Sequence, residues 1–274
     1  MGTGKCCASF PARRGPKDPG LPFRIGSRLR LLIYPQLMRG SLLMTFARST
    51  AALFLACGLA AAAQPIVLPP GINFSVLAPP PADDTPAGLA DLDVLLYVQK
   101  NRTPDEIKFA KKMEAPSVFE MGQEVFGPWF TRENLPKTAE ILREVTKVTD
   151  KVKEDAKKNW KRPRPYVRSN EISPVVGKPG DAGSYPSGHT YGIAIPEFVL
   201  AAAFPDRADK CDEMIHRVMW GRIVGGVHYP SDTEAGRLLA KDVVDQLLKT
   251  PAMKEAIESI RKEAAPFIAA GEKK

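Results

Sequence analysis

The chain has 274 residues and a formal net charge of +8, and this length suits one domain with a substantial core. The first 63 residues hold nine basic residues and one acidic residue, whereas the rest of the chain holds 30 of each sign and is formally neutral. Because nucleic-acid binding needs a basic surface on the folded domain, this distribution argues against a nucleic-acid partner.

The N-terminal region has the composition of a leader. Residues 1–43 are rich in Arg, Pro and Gly without a packing pattern, so we interpret them as a non-native or disordered extension. Residues 44–63 are interpreted as a signal peptide, because Arg48 precedes an apolar run that is too short to span a bilayer and ends in small residues. This predicts a periplasmic or secreted protein. A membrane anchor formed by the same run and lipid attachment at Cys57 stay open as alternatives.

The remaining chain offers neither a disulfide nor a membrane span. Cys211 is the only cysteine after residue 63, so no intramolecular disulfide is expected there. The apolar stretch 193–204 is short and contains Pro196 and Glu197. The sequence therefore predicts no transmembrane span in the mature chain.

Helical periodicity follows a Pro-rich segment. Residues 64–90 are predicted to form an extended arm and not a packed element. Helices are predicted to begin near Asp91, and the tetrapeptide TPDE at 103–106 is typical of a helix start. Further predicted helices cover residues 135–160, 188–204, 208–223, 231–249 and 251–269, with a loop over 166–184. No stretch alternates as a strand would, so the sequence predicts an all-α fold, a single compact helical bundle over residues 91–274.

Three polar segments carry the candidate chemistry. They are Lys157-x6-Arg164-Pro165, the octapeptide GSYPSGHT at 183–190, and Arg222-x5-His228-x3-Asp232. Together they supply three cations to hold a tetrahedral oxyanion, two histidines that could divide nucleophile and acid roles, and a carboxylate to orient one of them.

Two of these segments also look like helix starts. Ser187 falls at a helix N-cap before Gly188, so free backbone N–H groups and the positive helix end would face an anion. For the tetrapeptide YPSG alone, a simple turn is the competing interpretation. Ser231 and Glu234 predict a capping box that fixes Asp232 in the first turn of the next helix. Asp232 could then hydrogen-bond one nitrogen of His228 and leave the other exposed, or act only as a favourable N-terminal charge.

In this order, the three segments resemble the signature of the type 2 phosphatidic acid phosphatase superfamily. That superfamily includes bacterial non-specific acid phosphatases, lipid phosphatases and vanadium haloperoxidases, and the octapeptide is most similar to the class A bacterial acid phosphatases. The resemblance implies an all-α acid phosphatase that needs no metal or other cofactor and acts on small-molecule phosphomonoesters. Class A relatives also imply a homodimer, for which the residues themselves give no independent argument.

The resemblance also implies a role for each site residue. His228 is the expected nucleophile, forming a phosphohistidine, and His189 the expected general acid for the leaving group. The phosphate-binding residues are expected to be Lys157, Arg164, Ser187, Gly188 and Arg222. The family spacing alone separates Lys157 and Arg164 from their basic neighbours Lys158, Lys161 and Arg162, which are expected to be solvated side chains at a helix end. His216 lacks a motif and is expected to be an ordinary helix residue.

One position departs from the family pattern. Gly221 precedes Arg222 where the family usually has Ser, which would remove a hydroxyl from the edge of the pocket. Two alternatives therefore accompany the phosphatase prediction. One is a vanadium-dependent haloperoxidase, because vanadate mimics phosphate; the other is an inactive phosphate-binding protein of the same fold.

Overall fold

In a computed structural model, which describes residues 64–180 and 183–271, nine α-helices make up most of the described residues. The described residues contain no strand, which confirms the all-α prediction. The predicted extension, signal peptide and Cys57 lie outside the described residues. The helices are α1 (Pro86–Asn101), α2 (Pro104–Lys112), α3 (Val118–Phe126), α4 (Pro136–Trp160), α5 (Pro165–Arg168), α6 (Gly188–Ala203), α7 (Ala208–Val224), α8 (Pro230–Leu247) and α9 (Pro251–Gly271).

Local sequence signals explain where helix α2 begins. Pro occupies the first turn of α2, where its missing N–H leaves no bond unmade. Thr103 caps that helix: its hydroxyl accepts from the Glu106 N–H at 3.2 Å, while the Glu106 carboxylate accepts from the Thr103 N–H at 2.7 Å. This reciprocal capping box confirms the helix start predicted at 103–106.

Helix α6 lies at the centre of the bundle. It packs most extensively against α7 and α8 and also contacts α4 and α9. Its residues are apolar nearly all round, as expected of a helix enclosed by others. Ile195, Val199 and Leu200 are fully buried within it, and burial of such a side chain stabilises the fold by about 1.5–3 kcal/mol. This core fixes the position of the N-terminal end of α6, which bears Gly188 and His189.

The structure differs from the sequence prediction at several boundaries. Helix α1 begins at Pro86 with Thr85 as its cap, inside the segment predicted as an arm. The arm is also packed, because Ile66 and Leu77 are buried in the main core. Helix α3 and the short helix α5 were not predicted. Helix α8 begins at Pro230 and not at residue 231, which moves the capping register described below.

None of the described helices is long and apolar enough to cross a membrane. Cys211 is buried in α7 as a free thiol.

Candidate active site

The three predicted segments meet at one cleft of about 300 Å³. They arrive from the end of α4 and the turn after it, from the start of α6, and from the turn between α7 and α8. The residues that line the cleft are Lys153, Lys157, Arg164, Gly188, His189 and His228. Ser187, Arg222 and Asp232 are fully buried and do not line it. The structure thus gathers the predicted residues into one site with an open layer and a buried layer.

The buried imidazole of His228 is held from both sides. Its Nδ1 lies 3.3 Å from Oδ2 of Asp232. Its Nε2 lies 3.1 Å from a guanidinium nitrogen of Arg164. Because a guanidinium can only donate, Nε2 must accept and carry the lone pair, which assigns the proton to Nδ1 facing the carboxylate. Burial lowers the pKa of His228 to about 3, against the opposing pull of Asp232, so the ring is neutral. A neutral imidazole with its electron pair at Nε2 has the form that nucleophilic attack requires.

Asp232 is the centre of a buried hydrogen-bond network. Its Oδ2 accepts from the Tyr229 backbone N–H at 2.9 Å and from the Ser184 hydroxyl, and its Oδ1 accepts from Arg162 at 2.7 Å. Burial raises the pKa of Asp232, but the bonds and charges of His228, Arg162 and Ser184 outweigh that effect, so the net shift is downward. The carboxylate therefore stays ionised beside the neutral imidazole.

The capping register at α8 differs from the prediction. The bond from the Tyr229 N–H shows that Tyr229 is the N-cap and that Asp232 is the third helical residue. Ser231 is not the cap; its hydroxyl bonds Asp91 and Arg162 instead. Asp232 therefore accepts from the N-cap N–H of α8 and also faces Nδ1 of His228, so its carboxylate contacts both the helix start and the imidazole.

Arg162 was predicted to be solvated, and this prediction is wrong. Its side chain is 3% exposed and forms ion pairs with Asp91 at 2.8 Å and Asp232 at 2.7 Å. Its guanidinium also lies 4.0 Å from the centre of the Tyr229 ring. Asp91 comes from α1, which brings a fourth segment into the support of the site. Sequence reasoning missed Arg162 and Asp91 because nothing in the pattern links two residues 71 positions apart.

Ser184 was also missed, although it lies inside the octapeptide. Its hydroxyl donates to Asp232 and lies 3.5 Å from Nδ1 of His228. The available signal was a hydroxyl within the octapeptide, five positions before His189. Ser187, which the prediction favoured, serves as the N-cap of α6. Its hydroxyl accepts from the Thr190 backbone and side chain at 3.4 and 3.1 Å, and its own N–H donates to the Asp232 carbonyl oxygen at 2.8 Å.

Gly188 brings the backbone close to Lys157. A Cβ atom added at Gly188 would lie 3.4 Å from Cε of Lys157 and 3.5 Å from Cδ of Lys153. These contacts are ordinary in length, so glycine is not strictly required by packing; its absence of a side chain leaves the first turn of α6 open toward the cleft.

Cations surround His228. Lys157 is nearly buried, and its amine donates to the Gly183 carbonyl at 2.6 Å. Burial, and then the charge of Arg164, lower the pKa of Lys157 to about 8. Arg222 is fully buried, and within the described residues none of its three guanidinium nitrogens has a hydrogen-bond partner. Burial is also the main reason that its pKa falls to about 10. A buried cation without a hydrogen-bond partner indicates a binding position for an anion.

His189 lies at the open face of the cleft. Burial, followed by the charges of Arg222 and Arg164, lowers its pKa to about 4, while a hydrogen bond to the Glu114 backbone acts in the opposite direction. A dianion bound among these cations would cancel their charge and favour the protonated ring. His189 is therefore placed to give a proton to a group bound beside the anion.

His216 and Gly221, which the sequence analysis also considered, lie away from the cleft. His216 is on an exposed face of α7, 3.3 Å from the carboxylate of Asp212, as expected of an ordinary helix residue. Gly221 faces the C-terminal end of α2: an added Cβ would lie 2.5 Å from Cβ of Met113, the residue that follows this helix. Packing against α2 therefore explains why glycine stands at this position.

No group of three or more His, Cys, Asp or Glu side chains in residues 64–180 and 183–271 is arranged to hold a metal ion.

Comparison with known proteins finds a family match for part of the chain. Residues 142–241 match the PAP2 superfamily, and this range contains every predicted site residue from Lys157 to Asp232. The chain is 27% identical over 197 residues to a non-specific acid phosphatase of Salmonella typhi, covering 68% of this chain and 78% of the relative. It is 31% identical over 137 residues to an acid phosphatase of Zymomonas mobilis, covering 47% of this chain and 50% of the relative.

A solved structure of a transmembrane PAP2 type phosphatidylglycerolphosphate phosphatase from Bacillus subtilis aligns with a TM-score of 0.43 at 18% identity, over 60% of this chain and 86% of that one. The match of residues 142–241 to the PAP2 superfamily confirms the resemblance inferred from the motifs. Its curated relatives include non-specific acid phosphatases at modest identity.

Proposed function

We propose that this PAP2 superfamily phosphatase hydrolyses small-molecule phosphomonoesters through a phosphohistidine at His228. One observation carries the proposal. The neutral imidazole of His228 directs its lone-pair nitrogen toward Arg164 while Asp232 holds the other nitrogen, and the unpartnered guanidinium of Arg222 is buried close by. A nucleophile among fixed cations is the arrangement that attack on a phosphate dianion requires.

In the first step, the electron pair on Nε2 of His228 attacks phosphorus. The bond between phosphorus and the ester oxygen breaks, its electron pair stays on that oxygen, and the oxygen takes a proton from His189. Attack makes the imidazole of His228 cationic, and the ionised carboxylate of Asp232 stabilises that charge through Nδ1–H.

In the second step, neutral His189 takes a proton from water while the water oxygen attacks phosphorus. The phosphorus–nitrogen bond breaks and its electron pair returns to Nε2. Phosphate leaves, and His228 is neutral and His189 protonated again. The proton that His189 gave in the first step is thus recovered, and the cycle consumes only ester and water.

Lys157, Arg164 and Arg222 are the proposed partners of the non-bridging phosphate oxygens. Their three positive charges would stabilise the transferring phosphoryl group, which is why the proposed cycle needs no metal ion. Arginine's planar fork suits contacts to two oxygens at once. Gly188 would add backbone N–H groups at the start of α6, with Ser187 fixing the turn that presents them. Export to the periplasm or beyond, and a homodimer, stay predictions of the sequence.

Histidine substitutions test the proposal. In excess EDTA and at acidic pH, the His228→Ala variant should lose turnover of p-nitrophenyl phosphate, because it removes the imidazole that lies between Asp232 and Arg164. The exposed residue His216 supplies the matched control, and its Ala variant should keep wild-type turnover. Alkaline quenching of the wild-type enzyme during turnover should trap phosphate on His228, detectable by mass spectrometry.

The general acid is tested by the leaving group. The His189→Ala variant should lose about 10²–10⁴-fold in rate with an alkyl phosphate, whose alkoxide needs a proton, and much less with p-nitrophenyl phosphate. Equal losses with both substrates would contradict the role of His189. Turnover retained by the His228 variant would exclude the mechanism. Phosphate binding without hydrolysis would favour the inactive binding protein, and halide oxidation with vanadate and peroxide would favour the haloperoxidase.

A further inference from the structure

A second and larger cleft, of about 590 Å³, lies along the same two helices as the catalytic one. Its apolar side is formed by Val118, Phe119, Leu142, Ile193 and Pro196. These residues come from α3, α4 and α6 and include well-buried side chains, so the floor of the cleft is part of the core. We call it the α4–α6 cleft. The proposed catalytic cycle uses none of its residues.

The α4–α6 cleft adjoins the general acid. His189 bonds the Glu114 backbone, and the next residue, Ala115, already lines the α4–α6 cleft. On α6, Gly192 and Ile193 follow His189 at the i+3 and i+4 spacing that places residues on one helix face. The leaving group attached to an oxygen that His189 protonates would therefore extend into the α4–α6 cleft.

Gly192 leaves this path open. It lies inside α6, where glycine is less favourable than alanine by about 0.5–1 kcal/mol. Most packed glycines have a steric reason: at Gly236, for example, an added Cβ would lie 2.6 Å from the Ser187 carbonyl oxygen. At Gly192 an added Cβ would meet nothing within 4 Å. Packing within the fold therefore does not require glycine at position 192, and the space beside it belongs to the α4–α6 cleft.

Basic side chains without acidic partners surround the apolar floor. Arg132, Arg143 and Lys147 line the α4–α6 cleft, and no carboxylate does. Within the described parts of the chain, none of the three takes part in an ion pair, whereas Lys151 and Lys241 on exposed helix faces do. Lys147 and Lys157 are ten positions apart on α4, which is about 15 Å along the helix axis. A second negative charge on a substrate could therefore lie about that far from the reacting phosphate.

We propose that the α4–α6 cleft is a leaving-group subsite that selects phosphomonoesters with an apolar body and a second anionic group. The inference rests on the proposed function, since it needs the phosphate at Lys157, Arg164 and Arg222. The apolar body lies over Gly192 and against Ile193. The second anion, a carboxylate or another phosphate, lies among Arg143, Lys147 and Arg132.

Three alkyl phosphates test this with the purified protein: ethyl phosphate, octyl phosphate, and octyl phosphate with a carboxylate at the far end of the chain. All three release a primary alkoxide, so the chemistry at phosphorus is matched. We expect kcat/KM to rise from ethyl to octyl phosphate and again to the carboxylated compound. In the Arg143→Gln/Lys147→Gln variant, the advantage of the carboxylated over the plain octyl compound should fall up to about fivefold, the upper range for exposed charge pairs. Lys158→Gln, on the exposed face of α4, is the control and should keep the wild-type ratio.

A second variant tests the path itself. Gly192→Leu fills the α4–α6 cleft, and should lower the octyl-to-ethyl ratio of kcat/KM about tenfold, which corresponds to roughly 1.4 kcal/mol of lost apolar contact. If the leucine variant does not fold, Gly192→Ala replaces it as the test, because alanine favours the helix and also adds a side chain at this position. If the wild-type enzyme hydrolyses ethyl phosphate but treats all three esters alike, the subsite is refuted and the phosphatase stands. If no ester is hydrolysed, the proposed function fails first. Equal rates for the two octyl compounds would overturn the second-anion part alone.

Discussion

Replacement of Arg162 by Met would show how far the site depends on one buried guanidinium. Arg162 donates to Asp232 at 2.7 Å and to Asp91 at 2.8 Å. Methionine fills much of the same space but makes neither bond, so it leaves two buried carboxylates without their counter-charge. Breaking a buried ion pair in this way is strongly destabilising, by about 3–5 kcal/mol. We expect the free energy of unfolding, measured by urea denaturation, to fall by about that amount.

A double-mutant cycle with Asp91→Asn separates the two carboxylates. Asparagine at position 91 removes one of the charges that Arg162→Met strands. The double variant should therefore be more stable than the sum of the single losses predicts, by about 1–3 kcal/mol. Lys158→Met, at an exposed position on α4, is the control for loss of a cation and should change the stability little.

Activity should respond differently from stability in the same cycle. Asp91→Asn relieves the stranded charge but does not return a partner to Asp232, whose orientation of His228 stays weakened. The double variant should thus regain stability while its kcat/KM for p-nitrophenyl phosphate stays as low as that of Arg162→Met. Additive stabilities would refute the shared network, and full recovery of kcat/KM in the double variant would refute the positioning of Asp232 by Arg162.

Two further predictions concern pH. The proposed mechanism requires unprotonated His228 and protonated His189, and the pKa values of these residues are lowered to about 3 and about 4. We therefore expect kcat/KM, corrected for ionisation of the substrate, to peak at acidic pH and to fall as pH rises above about 4. A flat profile up to neutral pH would contradict these shifts. Burial raises the pKa of Glu197 from its ordinary 4.5 to about 8, so the folded state binds this proton more tightly than the unfolded state. The associated stability, on the order of 5 kcal/mol, is full below about pH 4.5 and is lost as pH rises toward 8. Glu197→Gln should remove that loss, and parallel pH dependence of the urea midpoints in both proteins would show that Glu197 is not its source.

The sequence predicted best those features that local chemistry determines. Helix α2 begins at the predicted capping box because Thr103 and Glu106 bond each other across one turn. Helices α4, α6, α7 and α9 lie within about three residues of their predicted bounds because their apolar spacing and flanking Pro residues are local signals. The candidate site residues were recognised through the family spacing, which no reasoning from propensities could replace.

Features that depend on distant partners were missed. Ile66 and Leu77 pack into the core from a segment whose Pro-rich composition shows no periodicity. Arg162 stands among exposed basic neighbours, and its contacts with the distant residues Asp91 and Asp232 distinguish it from them. Helix α3 is nine residues long, too short for its periodicity to stand out. In each case burial is decided by tertiary contacts that the neighbouring sequence does not encode.

The two contacts of the Asp232 carboxylate affect how this fold can change through evolution. Its carboxylate accepts the Tyr229 N–H at the start of α8 as well as facing His228. Loss of the aspartate would therefore weaken the start of α8 as well as the proposed chemistry, whereas loss of His228 would remove the proposed nucleophile and leave this helix cap in place. Descendants released from selection for turnover should discard the histidine first and keep the aspartate. A homologous sequence that keeps the aspartate at the position of Asp232 but lacks the histidine at the position of His228 would therefore indicate a protein that has lost the activity.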